Sequence, residues 1–238
     1  VADVDSDGDL DVLSASRYDD TIAWYENMAD FELATLSGVK FEDLDGDGVK
    51  GHDEPGLEGW TIQLQDGNGQ LITTATTDVN GDYGFDDLDP GTYRVREVLQ
   101  QGWTPTTADP SDIVTTSGDD VSDIDFGNFE LVTLSGVKYE DQDGDGVKGQ
   151  GEPGLEGWTI QLDLDADDLV DLTTQTAADG SYSFADVGPG THRIREVLQQ
   201  GWTQTTADPD DVTVVSGDDV SGVDFGNFEL GTLSGVKY

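Results

Sequence analysis

The sequence predicts an all-β protein built from tandem β-sandwiches. Apolar and polar residues alternate with a period of two in several segments, as at Trp60, Ile62 and Leu64, which is typical of half-buried strands. Turn-forming pairs such as Asn80-Gly81 separate these segments at short intervals, and no segment carries a helical stripe. A β-sandwich is therefore the economical architecture.

A long internal repeat divides the chain. The phrase TLSGVKFEDLDGDGVK begins at Thr35, returns as TLSGVKYEDQDGDGVK at Thr133, and begins again as TLSGVKY at Thr232. A spacing of about 100 residues exceeds a solenoid unit of about 20 to 50 residues and suits independent domains. Only one residue, Val132 or Gly231, joins successive repeats, so we expect a stiff array. The predicted units are 1–33, 34–131, 132–230 and 231–238, the last being the start of a third repeat.

The composition excludes several classes of function. The chain has 52 Asp plus Glu against 10 Lys plus Arg, a formal net charge of -42, so nucleic acids and anionic membranes should repel it. No apolar run approaches the length of a membrane span. The sequence contains neither a nucleophile paired with a general base nor a phosphate-binding loop, so it does not indicate an enzyme. Both ends also look like cuts inside a longer polypeptide.

In each repeat, acidic residues occupy the positions of a calcium-binding loop. The pattern D-x-D-x-D-G-x5-E directs oxygens at positions 1, 3 and 5 towards one hard cation, and the closing Glu can supply both carboxylate oxygens. Without a cation these carboxylates would repel one another, so we predict Ca2+ as the cofactor. The predicted ligands are Asp43, Asp45, Asp47 and Glu54 in the first repeat and Asp141, Asp143, Asp145 and Glu152 in the second.

Strand-like flanks on both sides of these loops favour a structural clamp over a helix-loop-helix sensor. An acidic turn without an ion is the alternative. The second repeat contains a further candidate loop, in which Asp168 replaces the glycine and no Glu closes the pattern. This loop is either a cation site or a solvated turn. Its acidic residues are Asp163, Asp165, Asp167 and Asp171.

The first 33 residues form a different unit. The sequence DVDSDGDLD gives a shorter, nine-position aspartate loop, followed by VLSASRYDDTIAWYEN. This segment resembles the FG-GAP or VCBS type of calcium-loop repeat, which implies part of a β-propeller blade. The implied calcium ligands are Asp3, Asp5, Asp7 and Asp11.

The two long repeats resemble a known domain family. Through SGVKFEDLDGDG, EPGLEGW, DVNGDYGF and PGTYRVRE they are similar to the B-type domains of bacterial serine-aspartate repeat adhesins, a branch of the collagen-adhesin B superfamily. The resemblance covers residues 35 to 231. It implies prealbumin-like, Ig-like β-sandwiches that bind calcium and act as rigid spacers on an extracellular, secreted or cell-surface protein.

The same resemblance implies internal crosslinks, because relatives in this superfamily often join Lys and Asn by an isopeptide bond that a Glu promotes. Alternation directs Glu97 and Asn128 inwards, whereas Lys40 shares its strand face only with Leu36 and Gly38. An ion pair between Lys40 and Glu97, or a solvated Lys40, is the alternative. The candidate triads are Lys40, Glu97 and Asn128 in the first repeat and Lys138, Glu196 and Asn227 in the second.

These observations favour a calcium-binding structural and adhesive surface protein. Its partner would be an extracellular protein or glycan. A carbohydrate-binding accessory module of a secreted hydrolase is the alternative, and it would require exposed, coplanar tryptophan rings. A halophile's acidic surface would explain the charge but not its identical spacing in both repeats. The tryptophans in question are Trp60, Trp103, Trp158 and Trp202.

Overall fold

The computed structural model describes two short strands, β1 (Val12–Ala15) and β2 (Ile22–Tyr25), and the continuous segment 32–237. These two strands pair antiparallel, with Val12 opposite Tyr25. The predicted calcium loop from Asp3 to Asp11 lies outside the described residues. The propeller-type blade therefore stays a prediction.

Repeat 1 consists of nine strands in two sheets. The first sheet has the order β6, β3, β11, β8, with β10 also pairing with β3, and the second has the order β5, β4, β7, β9. The strands are β3 (Ala34–Glu42), β4 (Thr61–Asp66), β5 (Leu71–Thr76), β6 (Asp82–Leu88), β7 (Gly91–Glu97), β8 (Trp103–Pro105), β9 (Ile113–Thr115), β10 (Asp120–Val121) and β11 (Phe126–Glu130).

Repeat 2 follows the same plan. Its sheets have the orders β15, β12, β19, β17 and β14, β13, β16, β18. Residues 231–237, where a third repeat was predicted to start, contain no strand. The strands are β12 (Val132–Glu140), β13 (Thr159–Asp163), β14 (Leu172–Gln175), β15 (Ser181–Val187), β16 (Thr191–Glu196), β17 (Trp202–Gln204), β18 (Val212–Thr213) and β19 (Phe225–Glu229).

The first and last strands of each repeat run parallel to each other. Lys40 on β3 lies opposite Phe126 on β11, and Lys138 on β12 lies opposite Phe225 on β19. Because side chains alternate along a strand, the residue two positions after each Phe projects from the same face. That residue is the asparagine of the predicted triad, Asn128 or Asn227.

Each repeat has its own apolar core between its two sheets. Ile62, Leu64 and Val95 are fully buried in repeat 1, as their alternation predicted. Tyr83 adds a polar contact inside this core, because its hydroxyl donates a hydrogen bond of 2.5 Å to the Ile124 carbonyl. The predicted all-β sandwich architecture is therefore confirmed for both repeats. Within the described residues, no helix has the length and apolar character needed to span a bilayer.

Candidate functional site

The first acidic loop follows β3 and folds around one carboxylate. Asp43 is fully buried, and its Oδ1 accepts hydrogen bonds from the N–H groups of Gly46 at 2.7 Å and Asp47 at 3.2 Å. Its Oδ2 accepts the N–H of Gly48 at 2.7 Å. Gly48 adopts φ +77°, a left-handed conformation that favours glycine. The loop therefore turns sharply where the sequence motif requires glycine.

The closing glutamate connects the two ends of this loop. Glu54 accepts the N–H of Leu44 on Oε1 at 2.9 Å and the N–H of Gly51 on Oε2 at 2.6 Å. Oxygens of Asp43, Asp45 and Glu54 lie within 4.8 Å of one another. Three carboxylates at this separation repel one another unless a cation lies between them, and oxygen-rich sets of this kind suit Ca2+.

Backbone donors favour the ionised form of the buried aspartate. Burial by itself would raise the pKa of Asp43, but hydrogen bonds from backbone N–H groups of the loop favour the ionised form, and the pKa is lowered. Asp43 therefore carries a negative charge inside the loop before any cation arrives, which is the form that a hard cation binds.

The second loop repeats this geometry in repeat 2. Asp141 is also fully buried and accepts the N–H groups of Gly144 and Gly146 at 2.7 and 2.8 Å. Glu152 closes the loop by accepting the N–H of Gln142 at 2.9 Å. Oxygens of Asp141, Asp143 and Glu152 again lie within 4.8 Å of one another.

Neither repeat brings the third aspartate of the motif into this group. Asp47 Oδ1 accepts the N–H of Val49 at 2.7 Å, and Asp145 Oδ1 accepts the N–H of Val147 at 2.8 Å. These two predicted ligands therefore stabilise the turn in the described geometry, while the first, second and closing carboxylates converge.

The additional loop in repeat 2 has the same kind of turn. Asp163 is buried and accepts the N–H of Asp168 at 2.8 Å, and Asp168 takes φ +73° where the other loops have glycine. Asp171 performs the closing role, because its Oδ2 accepts the N–H of Leu164 at 2.7 Å. The sequence motif did not reveal the closing role of Asp171, because the motif places the closing residue, a Glu, three positions after it. Asp163, Asp165 and Asp171 offer oxygens within 4.8 Å of one another.

The predicted triads meet between the sheets. In repeat 2, Lys138 Nζ lies 2.5 Å from Asn227 Oδ1 and 3.1 Å from Glu196 Oε2, and Asn227 Nδ2 donates to Glu196 Oε1 at 2.8 Å. All three side chains are at most 1% exposed. The three residues are therefore joined by two hydrogen bonds and one ion pair.

Repeat 1 holds the corresponding residues in a looser arrangement. Lys40 Nζ lies 3.3 Å from Glu97 Oε2 and donates to the Phe126 carbonyl at 3.2 Å. Asn128 is fully buried, yet neither atom of its amide group has a hydrogen-bond partner. A buried amide without partners costs about 1 to 3 kcal/mol, so the Asn128 amide destabilises repeat 1 in this arrangement.

Burial also changes the protonation of the lysines. It lowers the pKa of Lys40 from 10.5 to about 8 against the opposing attraction of Glu97, and it lowers the pKa of Lys138 to about 8 against that of Glu196. Burial raises the pKa of Glu97 as well. A larger fraction of each of these lysines is therefore in the neutral amine form than would be the case at the protein surface.

The sequence matches one domain family along most of the chain. The family model described as SdrD B-like domain matches residues 34–136 and 132–222. The chain belongs to the SdrD B-like domain family. Both sandwich repeats are thus SdrD B-like repeats, and the predicted relation to B-type adhesin domains is confirmed. Membership assigns the chain to the outside of the cell, either secreted or at the cell surface.

Curated relatives agree with this assignment. The chain is 33% identical over 183 residues to serine-aspartate repeat-containing protein D of Staphylococcus aureus strain Newman, which covers 71% of the chain and 14% of that protein. It is 34% identical over 203 residues to serine-aspartate repeat-containing protein F of Staphylococcus epidermidis strain ATCC 12228, covering 79% of the chain and 12% of that protein. The chain therefore spans only a small part of these relatives.

Solved structures with some likeness include pilins. GBS52, the minor pilin of Streptococcus agalactiae, aligns with a TM-score of 0.35 and 17% identity, covering 86% of this chain and 100% of that one. A streptococcal ancillary pilin aligns with a TM-score of 0.38 and 18% identity, covering 84% and 63%.

The tryptophans of the SdrD B-like repeats do not form a flat platform. Trp60 is 3% exposed and meets Trp103 at an interplanar angle of 89°. Trp158 is likewise 3% exposed and meets Trp202 at 87°. A sugar-stacking site needs exposed rings in one plane, so this geometry does not favour the carbohydrate-binding alternative.

Lys40 differs from its sequence interpretation. Alternation gave it few apolar neighbours, yet it is fully buried and its Nζ lies 4.4 Å from the Trp60 ring centre. Phe41, on the other face of β3, is also buried, with Lys50 Nζ of the acidic loop 5.9 Å from its ring centre. Both faces of β3 are therefore covered at this point, which the alternation pattern could not show.

Proposed function

We propose that this chain is a calcium-binding segment of an extracellular surface protein, and that its repeats act as a rigid stalk or spacer. The observation that carries the proposal is the acidic loop that follows the first strand of each repeat. In both repeats it brings together three carboxylates from equivalent positions. A chain with a net charge of -42 repels itself strongly, and bound cations would remove this repulsion where it is most concentrated.

The loop residues suit Ca2+ in chemistry and in arrangement. Asp43 and Glu54 are held by backbone N–H groups, which leaves further oxygen lone pairs for a cation. Asp45 is exposed and approaches the same position from the solvent side. Two held carboxylates and one exposed carboxylate form a site that a cation can enter and then rigidify.

Calcium removal tests this function directly. Chelation should lower the Tm by about 10 °C or more, because a ligand at a hundredfold excess over its Kd contributes about 2.7 kcal/mol. Protease cleavage should increase within residues 43–54 and 141–152, and calorimetry should detect stoichiometric calcium uptake. Unchanged melting, unchanged cleavage and no uptake would together reject the proposal.

A second element of the proposed stalk is covalent. The neutral Lys138 Nζ would attack Asn227 Cγ, forming an Nζ–Cγ amide while the Cγ–Nδ2 bond breaks. Glu196, which contacts both groups, would carry a proton from the amine to the departing nitrogen, so that one ammonia leaves per bond. Lys40, Glu97 and Asn128 would react in the same way. Such bonds would join the first strand of each repeat to its last.

The first 33 residues would contribute a further calcium loop of FG-GAP or VCBS type at Asp3, Asp5, Asp7 and Asp11. The support is the aspartate spacing together with the antiparallel pair β1 and β2 that follows it. Recognition of an extracellular protein or glycan would fall to regions other than the two spacer repeats. A calorimetric titration of a variant lacking Asp3 and Asp5 would test this loop by its loss of one bound ion.

A further inference from the structure

The first acidic loop also lies at the interface between the two repeats. Ser216, in the turn that follows β18 of repeat 2, donates its hydroxyl to Glu42 Oε1 of repeat 1 at 2.7 Å. The N–H of Ser216 donates to the Leu44 carbonyl of the acidic loop at 3.1 Å. Repeat 2 therefore contacts the loop of repeat 1 through both backbone and side chain.

Leu44 connects this contact with the candidate cation site. It lies between Asp43 and Asp45 in sequence, and its N–H donates to the closing carboxylate of Glu54 at 2.9 Å. The same residue thus contacts Glu54 through its N–H and Ser216 through its carbonyl. A change in the loop that moves Leu44 must also change the contact with repeat 2.

Packing at the next turn position adds a steric contact. A Cβ atom at Gly46 would overlap the ring of Pro189 in repeat 2. Gly144 occupies the equivalent position in the second loop with the same φ of +75°, and no atom lies within 4 Å of where its Cβ would be. The two loops therefore match in backbone conformation, and within the described residues only the first has another repeat packed at this position.

Part of this interface recurs at the start of repeat 1. Ser216 Oγ accepts the Glu130 N–H at 2.7 Å, and the Gly217 N–H donates to the Glu130 carbonyl at 3.1 Å. In repeat 1, Ser117 Oγ accepts the Glu32 N–H at 3.0 Å, and the Gly118 N–H donates to the Glu32 carbonyl at 2.8 Å. Each repeat thus has a Ser-Gly turn that forms hydrogen bonds with the backbone of the glutamate two residues before its first strand.

We propose that the Asp43–Glu54 loop is the docking surface for repeat 2, so that cation binding in this loop and the fixed orientation of repeat 2 stabilise each other. The inference deepens the proposed function and rests on it, because it takes the loop as the cation site. Coupling of this kind is reciprocal. The free energy by which bound calcium stabilises the docking of repeat 2 equals the free energy by which docking strengthens calcium binding.

Two matched pairs of variants test the coupling. Gly46→Ala and Gly144→Ala introduce the same backbone strain in equivalent loops, but only Gly46→Ala disturbs the contact with Pro189. Ser216→Ala and Ser117→Ala remove equivalent hydroxyls, but only the Ser216 hydroxyl reaches Glu42. The chain has no cysteine, so spin labels on Val79→Cys and Ala178→Cys, both exposed turn positions, report the distance between the repeats.

Calcium should narrow the distribution of distances between the labels in the parent protein. Gly46→Ala and Ser216→Ala should broaden this distribution in saturating calcium, whereas Gly144→Ala and Ser117→Ala should leave it unchanged. Amide NMR signals of Gly48 and Gly146 report each loop separately during a calcium titration. Ser216→Ala should weaken binding at Gly48 about fivefold or more and leave binding at Gly146 unchanged.

The outcomes separate this inference from the proposed function. If neither glycine signal responds to calcium in the parent protein, the cation site itself is wrong and the inference falls with it. If both respond, but Gly46→Ala and Ser216→Ala match their control variants in distance distribution and in affinity, the proposed function stands and the coupling is overturned.

Discussion

Lys138 Nζ lies 2.5 Å from Asn227 Oδ1 in a fully buried centre between the first and last strands of repeat 2. The corresponding asparagine of repeat 1, Asn128, has no hydrogen-bond partner for its amide. The two repeats therefore hold the three residues of the proposed crosslink in different arrangements, and only in repeat 2 does the lysine donate a hydrogen bond to the asparagine amide.

Intact-mass analysis should find that the purified protein has lost one ammonia per repeat. Asn128→Ala and Asn227→Ala should each restore one ammonia equivalent, and the double variant should restore both. Asn80→Ala, at an exposed turn, serves as the control and should leave the loss at two. A parent protein that retains its full calculated mass would exclude both bonds.

Glu54→Gln should weaken calcium binding at the first loop by about tenfold or more, because it removes a charged oxygen from the site. In calcium the Tm should fall by an amount that corresponds to about 1 to 2 kcal/mol beyond the fall seen with chelator present, where the variant loses only one of the two oxygens that accept the N–H groups of Leu44 and Gly51. Glu58→Gln makes the same charge change at an exposed position. An equal loss of calcium affinity in both variants would indicate an effect of net charge and would contradict a defined site at Glu54.

Because the Lys138 amine is buried, we expect the free energy of unfolding to rise with pH when the crosslink is absent. In Asn227→Ala, Lys138 should titrate near pH 8 in the folded state and near 10.5 in the unfolded state. Between these values the unfolded state binds more protons, so the free energy of unfolding increases with pH. We expect a rise on the order of 1 to 3 kcal/mol between pH 8 and 10. Urea denaturation at several pH values measures it.

The control for this titration is the double variant Lys138→Met and Asn227→Ala, which has no amine at this position. Its free energy of unfolding should lack the increase that the single variant shows over the same pH range. Parallel curves for the two variants would mean that another group produces the pH dependence.

Tyr83→Phe should destabilise repeat 1 by about 1 to 3 kcal/mol, because the Ile124 carbonyl loses the hydroxyl that it accepts inside the core. Tyr182→Phe should have a similar effect on repeat 2, where the Tyr182 hydroxyl donates to the Val223 carbonyl. Tyr93→Phe removes a hydroxyl that is only partly buried and should cost less. Equal losses at Tyr83 and Tyr93, measured by urea denaturation, would contradict this assignment.

Several features were predictable from the sequence because they depend on local periodicity. Alternation identified Ile62 and Leu64 as core residues, and both are fully buried. It also directed Asn128 inwards, where it is fully buried. The loop motif selected the carboxylates of Asp43 and Glu54, which the structure brings together. Backbone conformation and residue spacing along one segment are sufficient for such predictions.

The sequence by itself therefore determined the repeat, the strand faces and the positions of the acidic loops. Only the tertiary structure decided that Lys40 is buried, that Asp171 closes an additional loop, and that Ser216 contacts the loop of the preceding repeat. These facts depend on which segments pack against one another across 86 residues, in the case of Lys40 and Phe126, or 174 residues, in the case of Glu42 and Ser216. Local periodicity has no information about such distant partners, because burial of a side chain depends on what covers it as well as on its own strand.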